Sequence, residues 1–228
     1  MKHLLKLYPI LFGLLILACN SSSDDSNPST DVSLDNYIYV ISGKINGEPF
    51  VYGQRSDATE LDYNLVHSGA TTVICAYYPE TGGVNYFSGL HPNFDDESKP
   101  SMGIEFVRFF LCSEVNDYYQ SEVFNDRFPL GDYEFSSDGE DAYGPAGQIG
   151  MQYSANSIDG PYYNSYGDQS GSYFEVTSST PSNSYVLDVL VGSAQIVEGN
   201  FAVKFYNEND LNDVITITDG HFKVIPSL

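Results

Sequence analysis

Carboxylates are the most abundant reactive groups in this sequence, with 31 Asp and Glu residues against nine Lys and Arg residues. Two acids placed roughly 5 to 10 Å apart across a cleft can hydrolyse a glycosidic bond. With so many acids, no spacing singles out such a pair. A glycan-acting hydrolase that uses a carboxylate pair is therefore kept as an alternative hypothesis. Tryptophan, the strongest ring for stacking sugars, is absent, although tyrosine can serve.

Motifs for other catalytic chemistry are missing. The sequence has no G-x-S-x-G elbow, and Gly-Asp-Gln-Ser-Gly at 167–171 is interpreted as a polar loop. The histidines are isolated, without the close spacing of a zinc site. The acidic segments 136–141 and 207–213 offer oxygen ligands but lack EF-hand spacing, so ordinary solvated loops are favoured over calcium sites. We expect no catalytic residue, cofactor or metal ligand.

Tyrosines are concentrated between residues 136 and 171, in a stretch rich in glycine, serine and aspartate. This composition resembles binding loops, in which rigid amphipathic rings supply contact area at low entropic cost. If the rings share one face, they form a recognition surface. The alternative is that alternate tyrosines pack on the core with their hydroxyls in water. The predicted binding surface consists of Tyr143, Tyr153, Tyr162, Tyr163 and Tyr166.

Two cysteines of predicted strands, Cys75 and Cys112, are candidates for a disulfide bond. A disulfide persists in the oxidising compartments that an exported protein reaches. Both cysteines lie among apolar neighbours, however, and buried free cysteines behave as small hydrophobic residues. A disulfide and two buried thiols therefore both remain open.

The first 18 residues have the three-part form of an export signal. Lys2 and Lys6 precede an apolar run from Leu7 to Leu17, which is shorter than the roughly 20 residues that a membrane-spanning helix needs. The run ends in Ile-Leu-Ala-Cys at 16–19, which resembles the lipobox of the bacterial lipoprotein signal peptidase. We expect cleavage before Cys19 and lipidation of its thiol, because more than one acyl chain makes anchoring stable.

The charge of the chain restricts its partners. Removal of residues 1–18 leaves seven cations against 31 acids, so nucleic acid is excluded as a partner. Residues 19–36 are polar and acidic and are expected to form a flexible tether. The expected membrane contact is the lipid on Cys19. Asp24 and Asp25 in the Ser- and Asp-rich run after it resemble the surface-export tag of Bacteroidota lipoproteins, which favours the cell surface over a periplasm-facing position at the outer membrane.

Short apolar or alternating runs separated by Gly, Asn, Asp and Pro fill residues 37–228, a pattern typical of antiparallel β-structure. Asn46-Gly47 predicts a two-residue type I′ hairpin that pairs Ile45 with Glu48 and Ile41 with Tyr52. Near the end of the chain, Asp219-Gly220 either reverses the chain or forms a glycine bulge in one continuous strand.

The remaining pattern predicts one domain. Segment 114–128 is either a short helix or an ordered loop, and 136–171 is the longest irregular region. No linker follows residue 36, so we expect a single antiparallel β-sandwich or lipocalin-like barrel over 37–228, all-β with at most one short helix. Further strands are predicted at 71–78, 103–112, 130–135, 172–177, 185–191, 201–206 and 214–218.

Several segments together resemble the small uncharacterised β-rich surface lipoproteins of Bacteroidota. The similarity lies in the lipobox and acidic tether, in I-S-G-K-I-N-G-E-P-F at 41–50 and in I-T-I-T-D-G-H-F at 215–222. F-P-L-G-D-Y at 128–133 and E-G-N-F at 198–201 resemble the middle of that family. The matching positions are turn glycines and apolar residues. The resemblance therefore implies an all-β envelope domain and carries over no catalytic residue.

These observations favour a lipid-anchored envelope protein that acts as a non-enzymatic binding or interaction module. The tyrosine-rich stretch is its expected contact surface, and a glycan or an envelope protein is the expected partner. A structural partner in an envelope assembly is the second alternative beside the hydrolase.

Overall fold

The computed structural model describes residues 34–68, 81–92, 98–111, 124, 126–136, 148–156, 160–187 and 189–227. The predicted strand 71–78, Cys19, both candidate disulfide cysteines, Tyr143 and most of segment 114–128 lie outside these residues. The described residues contain no helix that is long and apolar enough to cross a membrane.

The all-β prediction is confirmed, because the described residues form strands and one short 3-10 turn at Leu34–Asn36. The strands are β1 (Tyr37–Ile45), β2 (Glu48–Arg55), β3 (Tyr63–Ser68), β4 (Thr81–Pro92), β5 (Ser101–Leu111), β6 (Gly131–Asp132), β7 (Glu134–Phe135), β8 (Gln148–Ser154), β9 (Tyr162–Asn164), β10 (Tyr173–Pro181), β11 (Ser184–Val186), β12 (Val189–Gly192), β13 (Gln195–Asn207) and β14 (Asp210–Val224).

Twelve of these strands form one sheet, in the order β2-β1-β14-β13-β9-β8-β5-β4-β3. Strand β10 pairs with β13 and β6, and β7 runs parallel to β8, whereas every other pair in the sheet is antiparallel. Within the described residues the sheet is not closed, and β2 and β3 are the two end strands of this order. It curls so that these edges approach each other, since the Tyr39 hydroxyl of β1 donates to the Tyr63 carbonyl of β3 at 2.7 Å.

The first hairpin has the predicted register. Asn46 and Gly47 have φ angles of 50° and 91°, as a type I′ turn requires. Ile45 pairs with Glu48, and Ile41 pairs with Tyr52. Local turn chemistry therefore suffices to set the pairing of β1 with β2.

The structure decides between the two predictions for Asp219-Gly220 and corrects those for segments 185–191 and 136–171. The chain does not turn back at Asp219-Gly220: β14 continues through it with a bulge at Asp219, whose φ is 52°. Segment 185–191 is not one strand but the two strands of the small β11–β12 hairpin, which reverses at Leu187 although no glycine or proline signals a turn there. The region 136–171, expected to be irregular, contains β8 and β9.

Aromatic rings fill the inside of the curled sheet. Phe174 is 1% exposed and stacks on Phe222, with ring centroids 4.6 Å apart. Beside these rings, β13 and β14 form two Phe–Gly cross-strand pairs: Phe222 lies opposite Gly199, and Phe201 lies opposite Gly220. A Cβ on Gly199 would lie 2.7 Å from the Phe222 ring, so the glycine provides the room that the ring occupies.

The side-chain amide of Gln169 continues the hydrogen bonding of the sheet beside β13, where β9 and β10 do not reach. The Gln169 amide donates to the Lys204 carbonyl at 2.7 Å and accepts from the Lys204 N–H at 3.1 Å, as a neighbouring strand would. It also donates to the Ser165 carbonyl at 2.8 Å. Gln169 thus fills the space along β13 between its pairings with β9 and β10, and the predicted polar loop 167–171 has a structural role.

We expect Gln169→Leu to lower the free energy of unfolding by about 1–3 kcal/mol, because a half-buried N–H and two carbonyls lose their partner while the side-chain volume is kept. Urea denaturation followed by circular dichroism measures the change. Gln169→Glu, which keeps the acceptor but loses the donor, should also destabilise. Wild-type stability of the leucine variant would show that the amide contributes nothing to the sheet.

Candidate functional site

A cleft of about 320 Å³ opens between the two edges of the sheet, and we call it the seam cleft. Its volume lies at the small end of the roughly 300–1,000 Å³ range of ligand pockets. Three tyrosine rings and two of the nine cations of the chain contribute to it. The lining residues are Tyr37, Val51, Tyr52, Gly53, Arg55, Asp62, Tyr63 and Lys99.

The backbone of β2 supplies polar groups to the seam cleft. In an antiparallel pair, residues alternate between those that bond to the partner strand and those whose N–H and C=O point away from it. Counting from the turn, Ile45 and Glu48 form a bonded pair, so Val51 and Gly53 direct their backbone groups away from β1, toward the seam cleft that both line. At the turn-proximal end of this edge Pro49 has no N–H to offer.

The other end of this edge is closed by the connection from β2 to β3. The Gln54 side chain accepts from the Asp62 N–H at 3.0 Å and donates to the Glu60 carbonyl at 3.2 Å. Gln54 is 5% exposed, so these bonds fix the connection firmly against β2. The free backbone edge in the seam cleft is therefore short, extending over only a few residues.

Tyr52 and Tyr63 form the inner end of the seam cleft, with ring centroids 5.6 Å apart. Tyr63 is buried, and Tyr52 is half-buried. Burial raises the pKa of Tyr52 well above its usual value, and the nearby hydroxyls of Tyr153 and Tyr63 add to the shift. Tyr52 therefore stays neutral. Its hydroxyl lies near that of Tyr153, so the ring is its main contribution to the seam cleft.

Tyr37 lies against β2 because residue 53 is a glycine. A Cβ at position 53 would lie 3.0 Å from the Tyr37 ring and 2.5 Å from the Tyr39 carbonyl oxygen. Without that Cβ, the half-exposed Tyr37 ring rests on the strand beside the cleft. The sequence therefore positions an accessible aromatic surface next to the outward backbone groups of Gly53.

Both cations of the seam cleft are paired with acids. Arg55 donates two hydrogen bonds of 2.8 Å to Asp57, and Lys99 lies 3.6 Å from Asp62. All four side chains are substantially exposed, so the pairs add little stability. At this place the two pairs form a rim of hydrogen-bond donors and acceptors around the aromatic rings.

This arrangement suits binding better than catalysis. Asp62 is the carboxylate that lines the seam cleft, and it is 63% exposed and ion-paired. A general acid needs the opposite environment, an apolar one that raises the pKa. Aromatic surface with a few directed polar groups is the usual composition of a ligand pocket.

The predicted tyrosine surface is divided by the sheet. Tyr153 and Tyr163 point inward and are 7% and 6% exposed, within the core. Tyr162 and Tyr166 are half-buried and lie on the outer side. The four described tyrosines therefore do not form one surface, because successive residues of a strand face opposite ways. Tyr143 lies outside the described residues. Tyr153 does not line the seam cleft.

The outer tyrosines surround a half-buried acid. Tyr166 donates to the Glu105 carboxylate at 3.3 Å, and both lie above Gly150, where a Cβ would be within 3.1–3.3 Å of them. Burial raises the pKa of Glu105, and the Tyr166 hydrogen bond partly opposes that shift. Burial and the Glu105 charge raise the pKa of Tyr166 to about 12. Tyr166 covers the carboxylate, and neither residue lines the seam cleft.

The acidic segment 207–213 contains the turn between β13 and β14 together with the first residues of β14. Asp213 accepts hydrogen bonds from Tyr163 at 2.8 Å and from Asn207 at 2.9 Å. Asp210 accepts from the Asn212 backbone at 3.0 Å. Within the described ranges, no three His, Cys, Asp or Glu side chains are grouped so that they could hold a metal ion. The oxygens of this segment serve the turn itself.

Leu187, at the tip of the β11–β12 hairpin, is the most exposed large apolar side chain described, at 93%. Its φ of 49° is unusual for a residue of this type. Single exposed apolar residues are common on monomeric proteins. A role as a structural partner in an envelope assembly therefore stays a prediction.

Comparisons with protein-family models, curated proteins and solved structures give no match for this chain. The functional argument therefore depends on the geometry of its own residues.

Sequence reasoning did not identify the seam cleft. Its tyrosines come from three separate strands and converge only because the sheet curls. One local signal was present: Arg55 is a cation in a strongly acidic chain and follows the aromatic segment of the predicted hairpin.

Proposed function

We propose that this protein is a lipid-anchored envelope lipoprotein whose all-β domain binds a small ligand in the seam cleft without chemically changing it. The observation that carries the proposal is the convergence of three tyrosines with directed backbone and side-chain polar groups around about 320 Å³. Such a combination of rings and few polar groups is typical of pockets that hold a ligand in a fixed orientation.

The rings are held in place before any ligand arrives. Tyr63 is fixed through its backbone by the Tyr39 hydroxyl, and the Tyr52 ring packs against Tyr63 and Phe50, with ring centroids 5.6 and 4.7 Å apart. Groups that are already ordered lose little conformational freedom when a ligand binds. This supports a binding role.

Hydrolysis by a carboxylate pair receives less support. Asp62 is exposed and paired with Lys99, while Glu105, the described acid whose pKa is raised by burial, lies on the outer side of the sheet under Tyr166. The two acids therefore do not face each other across the seam cleft.

The proposed location follows from the sequence. The leader, Cys19 and the acidic run after it support export and lipid anchoring to the outer membrane, on the cell-surface side. The charge of the chain opposes nucleic acid as a partner. A glycan or an envelope protein remains the proposed class of partner.

The test is an array that carries neutral glycans, acidic glycans and extended peptides, probed with the full-length chain in a non-glycosidic detergent. We expect binding to at least one class. Tyr37→Ala should weaken it about tenfold or more, because removing a contact ring commonly costs over 1 kcal/mol and 1.4 kcal/mol is a factor of ten.

Tyr173→Ala is the matched control, since Tyr173 is a 47% exposed tyrosine of β10 outside the seam cleft. It should bind as the wild type does. Equal weakening by both substitutions, or no binding by the wild type to any class, would contradict the proposal.

A further inference from the structure

We infer that the ligand of the seam cleft is an uncharged saccharide of one or two rings. The inference rests on the proposed binding function and specifies its ligand.

The charge of the whole protein favours an uncharged ligand. Its formal net charge is −22, and summed charges of one sign create a potential that extends beyond single contacts. An approaching anion is repelled by this potential, whereas an uncharged molecule is unaffected.

The seam cleft does not reverse this preference locally. Arg55 and Lys99 would attract an anion, but Asp57 and Asp62 hold them at 2.8 Å and 3.6 Å. An acidic ligand would have to compete with these acids for each cation. Hydroxyl groups can bond to the same pairs without displacing either partner, because they both donate and accept.

The shape of the seam cleft favours a compact ligand over an extended peptide. Strand addition requires a long row of free backbone groups at a sheet edge. Here Pro49 limits the edge of β2 on one side, and Gln54 holds the connection to β3 against it on the other. Val51 and Gly53 are left to present backbone groups between these limits.

A sugar matches the remaining chemistry. One face of a pyranose ring carries C–H groups that pack on aromatic rings, and its edge carries hydroxyls. The accessible Tyr37 ring can pack on the C–H face, and the outward backbone groups of Val51 and Gly53 can form hydrogen bonds with the hydroxyls. The volume of about 320 Å³, at the small end of ligand pockets, suits a short saccharide.

Isothermal titration of the full-length chain with matched disaccharides tests this. The neutral set is cellobiose, maltose, lactose and chitobiose, and the acidic set contains the counterpart of each of the first three in which one hexose is a uronic acid. We expect one neutral disaccharide to bind at least about tenfold more tightly than its acidic counterpart at low ionic strength. Added salt should narrow this difference, because it screens the repulsion.

Asp62→Asn separates charge from shape. It removes the negative charge 3.6 Å from the Lys99 ammonium and keeps the size of the side chain. We expect the neutral-to-acidic affinity ratio to fall severalfold. Asp132→Asn makes the same change in net charge at an exposed position on β6, outside the seam cleft, and should leave the ratio unchanged.

The outcomes separate this inference from the proposed function. If an acidic disaccharide binds as tightly as its neutral counterpart and Tyr37→Ala removes that binding, the inference is overturned and the proposed function stands. If no disaccharide binds, the inference that the ligand is a short saccharide is also overturned. The array still tests the proposed binding function through its longer glycans and peptides. If neutral disaccharides bind equally well to the wild type and to Tyr37→Ala, the inference and the proposed function are both wrong about the binding site.

Discussion

Gly199→Ala is expected to destabilise the protein by at least about 3 kcal/mol, at or above the usual range of overpacking substitutions. A Cβ at this position would lie 1.9 Å from the Glu175 carbonyl oxygen and 2.7 Å from the Phe222 ring. A side chain can rotate away from such a clash, but the backbone of β10 cannot without leaving its pairing with β13. Thermal unfolding should shift down by roughly 6–12 °C, since 1 kcal/mol corresponds to about 2–4 °C in a domain of this size.

Gly192→Ala is the matched control. A Cβ there would meet only Ser184, at 3.9 Å, which is ordinary van der Waals contact. The control should unfold near the wild-type temperature. If Gly199→Ala unfolds at the same temperature as Gly192→Ala, the close approach of β10, β13 and the Phe222 ring does not limit the size of the side chain at position 199.

Cys19→Ala is expected to move the protein from the membrane fraction to the aqueous fraction almost completely. Each buried methylene of an acyl chain contributes about 0.8 kcal/mol, so losing the lipid removes nearly all membrane affinity. The acidic chain offers no basic surface that would hold it on anionic lipid heads. Detergent phase partition of cell extracts, with mass spectrometry of the N-terminal peptide, measures the result.

Cys75→Ala makes the same substitution at a cysteine far from the leader and should leave partition unchanged. Membrane association of the Cys19→Ala protein equal to that of the wild type would show that something other than a thiol-linked lipid anchors it. An unmodified Cys19 in the wild-type protein would lead to the same conclusion.

Local chemistry predicted the parts of the fold that depend on it. Asn46-Gly47 set both the turn and the register of β1 with β2, because only a type I′ turn suits these residues between apolar runs. The second role of Asn46 was beyond sequence analysis: its side chain accepts from the Thr216 N–H, 170 residues away, at 3.0 Å. Such a contact exists only after β14 is in place.

In the tyrosine-rich region, amino-acid composition predicted a loop where the protein has strands. Ile149, Met151 and Tyr153 alternate with polar or small residues, which is the period of a half-buried strand, and they form the inner side of β8. Abundant glycine and serine nearby suggested a loop instead. The inward position of Tyr153 follows from that alternation, whereas its ring contact with Phe205, at 6.0 Å between centroids, depends on how the strands are arranged in the sheet.

The open sheet also bears on how the protein behaves when many copies lie close together. Exposed sheet edges normally invite edge-to-edge aggregation between neighbouring molecules. Here the two edges approach each other across the Tyr39–Tyr63 bond, and Pro49 interrupts the outer row of donors on β2. Edge-to-edge polymerisation is thereby hindered even though the sheet is unclosed, so a high local concentration of the protein need not produce fibres.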